Sequence, residues 1–203
     1  SYIMTKSNRS GKAKCLSKKE LERFYSNLPE KYNLLATTMY FVAGRVGETT
    51  SIRVRNINIK DGLIILEKSS TKCRESRSIP IPTKLVNDLK SWIDSHSLKD
   101  DDFVFFSSSR NLKCDTGAKK LANQSVDEVF RKIFDWVGIK GATTHSFRRS
   151  RLTHLMESNF NMRQIMDISG HKNLLSLQQY LDSDRSNTHN IYRQLIEEEF
   201  SYA

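Results

Sequence analysis

The chain has 203 residues, with 33 Lys and Arg against 23 Asp and Glu, and so a formal net charge of +10. This length suits one main domain, and a hydrophobic share of 37% excludes a membrane-embedded protein and a disordered one. The positive charge favours a polyanionic partner. Nucleic acid is the leading candidate, because the charge is spread along the chain and is not gathered in a basic amphipathic helix suited to a membrane surface.

The first fifteen residues are rich in Ser, Lys, Arg and Gly, and they lack a periodic apolar pattern. We expect residues 1–15 to be a flexible basic arm or linker without a signal-peptide core. The protein is expected in the cytoplasm, where binding to DNA would place it at the nucleoid. Cys15, Cys73 and Cys114 are widely spaced and lack metal-ligand spacing. Reduced thiols and no metal are therefore expected.

The main domain is predicted over residues 16–186. Ser17 and Glu20 form a capping-box pattern, which predicts a first helix that ends by Pro29. A second helix is predicted over 31–42. A short helix carrying Arg45 and Glu48 should follow Gly44.

The period then changes from helical to alternating. Apolar residues at 57–59, 63–66 and 78–81, with an Asp-Gly turn at 61–62, predict three antiparallel strands. The polar loop between the second and third strands carries Lys68, Lys72 and Arg74 and should project these cations into solvent.

Helical patterns return after Pro82 and again from Ser125, whose capping partner would be Glu128, up to a stop at Gly138. Further helices are predicted near 145–157, 162–168, 174–181 and 188–199. The predicted fold class is mainly α with a small three-stranded antiparallel β-sheet (α+β), and the aromatic stripes of the helices are interpreted as core.

Four separated segments carry polar groups that a plain helical domain would not need. They are Gly-Arg-Val-Gly-Glu at 44–48, the hairpin segment 72–80, Thr-His-Ser-Phe-Arg at 144–148, and Ser-Gly-His at 169–171, which Tyr180 follows nine residues later. Each pattern alone is weak, because charged pairs at helical spacing are common on solvated faces.

In this order and spacing the segments resemble the catalytic domain of the tyrosine recombinases, or phage integrases. The resemblance covers residues 16–181 and implies a full catalytic set: Arg45, Lys72, His145, Arg148, His171 and Tyr180, with Glu48 in support. The chain departs from the family's usual pattern at Gly44, which directly precedes the arginine, at Arg149, where histidine is common, and at Ser169, where leucine is frequent. The family's amino-terminal DNA-clamping domain has no counterpart here, so we expect the chain to be part of a longer recombinase.

The expected chemistry is transesterification of a DNA phosphodiester. Planar guanidinium groups match phosphate oxygens, so Arg45 and Arg148 are expected to hold the scissile phosphate. Lys72 should protonate the 5′ leaving oxygen, with Lys68 as the competing candidate. Tyr180 would attack the phosphorus and form a 3′-phosphotyrosyl link, which conserves the bond energy, so neither ATP nor a metal or other cofactor is implied.

The two histidines and Glu48 are expected to assist. His145 would help remove the proton from Tyr180, while His171 would either donate a hydrogen bond to the phosphate or position the nucleophile. Glu48 would hold the arginine-bearing segment or bond a catalytic side chain. Lys68, Arg74, Arg77 and Lys119 are candidates for contacts to the DNA backbone. The alternative for Lys72 is that it only contacts the DNA backbone as well.

Residues 187–203 predict an amphipathic tail helix with Ile191, Leu195, Ile196 and Phe200 on one side. It either packs on its own core or docks on a neighbouring protomer, which would couple the active sites of a homotetramer on double-stranded DNA; the isolated domain could remain a monomer. Two other functions stay open: a type IB topoisomerase-like enzyme that relaxes DNA, and a non-catalytic DNA-binding module.

Overall fold

A computed structural model describes residues 12–67, 76–108, 116–178 and 185–201, except for the side chains of 185–187. Its helices and strands are, in chain order, α1 (Lys18–Tyr25), α2 (Glu30–Phe41), α3 (Val46–Thr50), β1 (Ile57–Asn58), β2 (Leu63–Leu66), β3 (Arg77–Pro80), α4 (Thr83–Ser95), α5 (Asn123–Val137), α6 (His145–Glu157), α7 (Met162–Ser169), α8 (Leu174–Gln178) and α9 (Arg185–Ser201). The fold is mainly α with one small sheet, as the sequence predicts.

Local sequence signals fix most element ends. The Ser17 hydroxyl accepts the Glu20 backbone N–H at 3.1 Å and the Glu20 carboxylate accepts the Ser17 N–H at 3.1 Å, which confirms the capping box that starts α1. Helix α5 ends at Gly138, whose φ of +72° lies in the left-handed region that favours glycine.

The predicted start of α5 is wrong. The helix begins at Asn123 after an Ala122 N-cap, so Ser125 lies within the first turn and does not cap it. Leu121 and Val126 are both buried, and their packing determines where the helix enters the core. Tertiary burial overrides the local capping preference at this position.

The sheet has the order β1-β2-β3, with both pairs antiparallel. Ile64 pairs with Ile79 and Leu66 pairs with Arg77, so the two sides of the hairpin are in register. Ile64, Leu66 and Ile79 are buried on the inner face. The loop between β2 and β3, with Lys68, Lys72 and Arg74, falls outside the described residues.

Aromatic rings of α1, α5 and α6 form the centre of the main core. Phe24 stacks on Phe134 with ring centroids 4.1 Å apart, and Phe130 and Phe147 pack around Phe24. This arrangement supports the interpretation of the aromatic stripes as core and fixes α6 against the rest of the domain.

A second, smaller apolar cluster lies under α6, α7 and α8. Ala43, Leu152, Leu155, Ile165 and Leu177 are its buried members. Because Ala43 directly precedes the Gly-Arg segment, this cluster holds the beginning of α3 beside α6 and α7. Within the described ranges, none of the helices has both the length and the apolar character that a bilayer span requires.

Helix α9 differs from the others because its apolar side chains face solvent. Ile191, Leu195, Ile196 and Phe200, defined here as the α9 apolar face, are all exposed, and Phe200 retains 82% of its accessible surface. Cis packing of this face on the domain core, one of the two predicted alternatives, is not the arrangement in the structure.

Candidate active site

The segment that carries Arg45 is shaped by its two preceding residues. Ala43 has a φ of +49°, and a Cβ atom on Gly44 would lie 2.6 Å from Thr49 Oγ1. A side chain at position 44 would therefore force the turn or Thr49 to shift. Arg45 is the extended N-cap of α3 and lies just before the helix, and its backbone N–H donates to Glu48 Oε1 at 3.0 Å.

Glu48 also contacts an arginine from the sheet. Arg77 Nη1 donates to Glu48 Oε2 at 2.8 Å, and both side chains are largely buried, at 9% and 13% exposure. Arg77 Nε also donates to the Ile168 carbonyl of α7 at 3.0 Å. Arg77 thus joins β3, α3 and α7.

This position does not fit the expected contact of Arg77 with the DNA backbone, because a guanidinium engaged with a carboxylate and a carbonyl inside the domain is not presented to an outside phosphate. A sequence signal for burial was available. Arg77 shares strand parity with Ile79, which is buried, while Ser78 and Pro80 between and beyond them are exposed.

Arg148 reaches the same site from the first turns of α6. The residue is 3% exposed, and its Nη1 donates to the Ala43 carbonyl at 2.5 Å and lies 4.0 Å from Glu48 Oε1. Its Nη2 lies 3.2 Å and 3.3 Å from the two ring nitrogens of His171. We call Glu48, Arg77, Arg148 and His171 the charged cluster.

His171 is placed by the end of α7. Gly170 terminates this helix with a φ of +75°, and a Cβ there would lie 3.1 Å from Arg77 Nη1. The glycine therefore supplies both the left-handed turn and the close approach to the guanidinium. After the turn, the backbone N–H of His171 donates to Ser169 Oγ at 3.2 Å, and its Nδ1 lies 2.6 Å from the same oxygen.

The electrostatics of the charged cluster follow from this geometry. Burial lowers the pKa of His171, and the nearby charges of Arg148 and Arg45 lower it further, to about 3. Burial by itself would raise the pKa of Glu48, but the hydrogen bond and charge of Arg77 outweigh this effect and lower it. At neutral pH the site thus contains an ionised Glu48, a neutral His171 and several guanidinium charges.

The remaining candidates lie around or beyond this cluster. His145 begins α6 one turn before Arg148 and is exposed, and within the described part of the chain its ring makes no hydrogen bond. Lys119 is exposed on the loop before α5. Lys68, Lys72, Arg74 and Tyr180 lie outside the described residues.

Comparison with known proteins identifies this arrangement. The sequence profile described as the Phage integrase family matches residues 14–187, which is most of the chain and contains all four polar segments. The chain belongs to the phage integrase family. Among curated relatives of this phage integrase, Tyrosine recombinase XerA of Thermococcus kodakarensis is 26% identical over 170 residues, which cover 82% of the chain and 57% of the relative. Tyrosine recombinase XerC of Proteus mirabilis is 28% identical over 162 residues, which cover 76% of the chain and 48% of the relative.

Solved structures of the family share the fold. A crystal structure of XerA recombinase superimposes with a TM-score of 0.72 at 20% identity and covers 89% of this chain and 64% of that one. The Tn1549 transposon integrase in complex with transposon right end DNA gives a TM-score of 0.74 at 12% identity, over 94% of this chain and 68% of that one. The phage integrase chain described here thus spans about half to two thirds of the length of these relatives.

Proposed function

We propose that this chain is the catalytic part of a site-specific recombinase of the integrase or excisionase type, which cleaves and rejoins DNA strands through a covalent 3′-phosphotyrosine at Tyr180. One observation carries the proposal: Arg148, His171 and the Arg45–Glu48 segment come from distant parts of the sequence and meet in one partly buried site. Membership of the phage integrase family supports the same conclusion.

The charge of the site suits a phosphodiester. The charges of Arg45, Arg77 and Arg148 and the single negative charge of Glu48 all act on His171, so the site has an excess of positive charge. Burying unbalanced charge is costly, and binding an anion repays this cost. Fixed positive groups also stabilise the additional negative charge that develops on the non-bridging oxygens in the transition state.

In the proposed mechanism, Arg45 and Arg148 hold the scissile phosphate, and Tyr180 attacks it. The bond from phosphorus to the 5′ oxygen breaks as the bond to the tyrosine oxygen forms. His145 accepts the proton of the tyrosine, and Lys72 donates a proton to the leaving 5′ oxygen. Attack by the 5′-hydroxyl of another strand then reverses these steps and rejoins the DNA, without ATP, metal or another cofactor.

Two contacts of Glu48 support the roles proposed for Lys72 and for Glu48 itself. Arg77 begins β3 five residues after Lys72 and is bonded to Glu48, so one end of the hairpin loop that carries Lys72 is anchored at the site. Glu48 therefore acts by holding Arg77 and the N–H of Arg45, and contact with DNA is not required of it. Lys68, Arg74 and Lys119 remain the proposed contacts to the DNA backbone.

The proposed partners are duplex DNA and further copies of this chain. The α9 apolar face is exposed, and a second protomer of the same fold is the occupant we propose for it in a homotetramer on DNA. In the absence of DNA the isolated chain would be a monomer.

The function is tested by trapping the covalent intermediate. The substrates are two pools of nicked duplexes: one tiles the DNA that flanks the natural coding sequence, and the other is randomised. Cleavage next to the nick releases a short strand with the 5′-hydroxyl, so the covalent adduct cannot be rejoined. We expect a protein–DNA adduct that survives denaturation with the wild-type chain and with Tyr32→Phe, but none with Tyr180→Phe. Tyr32 is a control because it lies on α2, outside the four polar segments.

Two results would favour the other functions. DNA binding without an adduct on either pool would identify a non-catalytic DNA-binding module. Relaxation of a supercoiled plasmid that lacks the trapped sequence would identify a type IB topoisomerase-like enzyme, since a recombinase needs two target sites brought together. We expect no relaxation of this plasmid.

A further inference from the structure

Ser169 is a buried hydroxyl at a position where the family frequently has leucine. It is 1% exposed at the end of α7, and its Oγ lies 2.6 Å from Nδ1 of His171. We propose that Ser169 is a positioning residue that holds His171 in the tautomer with its hydrogen on Nε2, so that the neutral ring donates this hydrogen to the scissile phosphate. The inference rests on the proposed function, and it selects one of the two roles left open for His171.

The hydrogen bonds of Ser169 determine the direction of donation. Its Oγ already accepts the backbone N–H of His171 at 3.2 Å, and its own hydrogen has two possible acceptors, the Met166 carbonyl at 3.4 Å and His171 Nδ1 at 2.6 Å. A distance of 2.6 Å is usual for a hydroxyl donor and short for an N–H donor, while 3.4 Å is longer than a good hydrogen bond. The hydroxyl therefore donates to Nδ1.

The contact with Arg148 does not compete for this nitrogen. Arg148 Nη2 is almost equally distant from Nδ1 and Nε2, at 3.2 Å and 3.3 Å. The hydrogen-bonding directions at the two ring nitrogens diverge in the ring plane, so one donor cannot align well with both, and the nearly equal distances favour neither nitrogen as its acceptor. The contact with Ser169 at 2.6 Å is therefore the one that selects the tautomer.

The ring also has only one hydrogen to place. Four effects lower its pKa to about 3: burial is the largest, and the charges of Arg148, Arg45 and Arg77 follow, while the charge of Glu48 opposes them. His171 is therefore neutral at pH 7, and the hydrogen that Ser169 excludes from Nδ1 is on Nε2. In this state Nε2 donates and cannot act as a base.

The tautomer is measured directly by NMR on the full chain labelled with ¹⁵N-histidine, with His171 assigned through His171→Asn. We expect an unprotonated Nδ1 whose chemical shift shows that it accepts a hydrogen bond, and a protonated Nε2. In Ser169→Ala this Nδ1 resonance should move to the position of a nitrogen without that bond, and Ser150→Ala, which removes another buried serine hydroxyl, should leave it unchanged. A protonated Nδ1 in the wild type, or an unmoved Nδ1 in Ser169→Ala, would overturn the proposal.

The adduct assay supplies the functional readout. We expect Ser169→Ala to slow adduct formation about 10-fold, the lower end of the loss seen when a partner that orients a metal-bound histidine is removed. Ser169→Thr should restore most of the rate because it keeps the hydroxyl. In the His171→Asn background Ser169→Ala should have no further effect, since Ser169 acts through the ring. An undiminished effect in that background would mean that the hydroxyl has only a structural role.

The two proposals fail separately. If the wild type forms no adduct while NMR shows the Nε2-protonated ring, the proposed function is wrong and the assignment of the tautomer stands. If the wild type forms the adduct with Nδ1 protonated, the function stands and the role of Ser169 is wrong. Should Ser169→Ala fail to fold, the wild-type spectrum alone still decides the tautomer.

Discussion

The charged cluster and the α9 apolar face reverse the usual distribution of side chains. Glu48, Arg77 and Arg148 are largely buried, although charged residues normally lie at the surface, while Phe200 on α9 is 82% exposed. In the charged cluster every charge faces an opposite charge, a carbonyl or a ring of the same chain. In α9 the apolar side chains lack such cover from the described residues. The first region buries charges that are paired within the chain, and the second leaves an apolar face open to solvent.

Between these two regions, the larger expected effect comes from removing the charge of Glu48. In Glu48→Gln the nearly unchanged shape leaves Arg77 and Arg148 buried without their carboxylate, so the free energy of unfolding should fall by about 3 kcal/mol. Urea denaturation measures this change. The control is Asp88→Asn, which breaks the exposed Lys84–Asp88 pair of the same 2.8 Å length and should cost under about 0.5 kcal/mol.

Equal losses in these two variants would contradict the comparison. They would mean that burial adds nothing to the Glu48–Arg77 pair, and the charged cluster would then be no different from a surface ion pair.

Packing beneath Arg45 gives the next effect. In Gly44→Ala the added Cβ would lie 2.6 Å from Thr49 Oγ1 and 3.0 Å from Val42 Cγ2, so the turn must shift, and we expect a loss of about 2 kcal/mol together with slower adduct formation. Gly47→Ala is the matched control two residues beyond Arg45. Among the described residues its Cβ would meet only Asn123 Nδ2, at 3.5 Å, so stability should not fall, and the better helix propensity of alanine should raise it by up to about 1 kcal/mol.

Acidification tests the neutral state of His171. Its pKa of about 3 in the folded protein lies below the usual 6.5, so between these values the unfolded chain binds more protons, and stability falls as the pH decreases. Allowing for solvent screening of the partly exposed ring, we expect a loss of about 1 kcal/mol between pH 8 and pH 5, and a smaller loss in His171→Asn. Denaturation at both pH values measures the difference.

Two other titrating groups determine the pH range in which the difference between the two proteins reports on His171 alone. The lowered pKa of Glu48 adds a loss of the same sign, but this loss begins only below the usual carboxyl pKa of 4.5. Burial also lowers the pKa of His154, and this loss is common to wild type and His171→Asn. An identical pH dependence in the two proteins would show that His171 titrates normally.

The limits of sequence prediction follow the same division between local and distant contacts. The Ser17 cap and the Gly138 stop were predictable because their partners lie within one helical turn. The internal contacts of Arg77 were not predictable, because its partners, Glu48 and the Ile168 carbonyl, lie 29 and 91 residues away in sequence. Arg77 was therefore predicted to contact the DNA backbone. Ser169 has a partner only two residues away, but the contact requires the left-handed turn at Gly170. The sequence therefore showed that serine replaces the frequent leucine, but it did not predict the contact with His171.

The smallest expected effect concerns the α9 apolar face. Because Phe200 is 82% exposed, Phe200→Ala removes little buried surface from the monomer and should change its free energy of unfolding by less than about 0.5 kcal/mol. The same substitution at Phe130, which is 1% exposed, should cost about 4 kcal/mol. Sedimentation of the covalent protein–DNA adducts should show that Phe200→Ala weakens the assembly of protomers. Adduct formation by a single chain should be unchanged. A loss of several kcal/mol at Phe200 in the monomer would mean that α9 packs on its own domain in solution, and the contrast between a closed charged cluster and an open helix would then disappear.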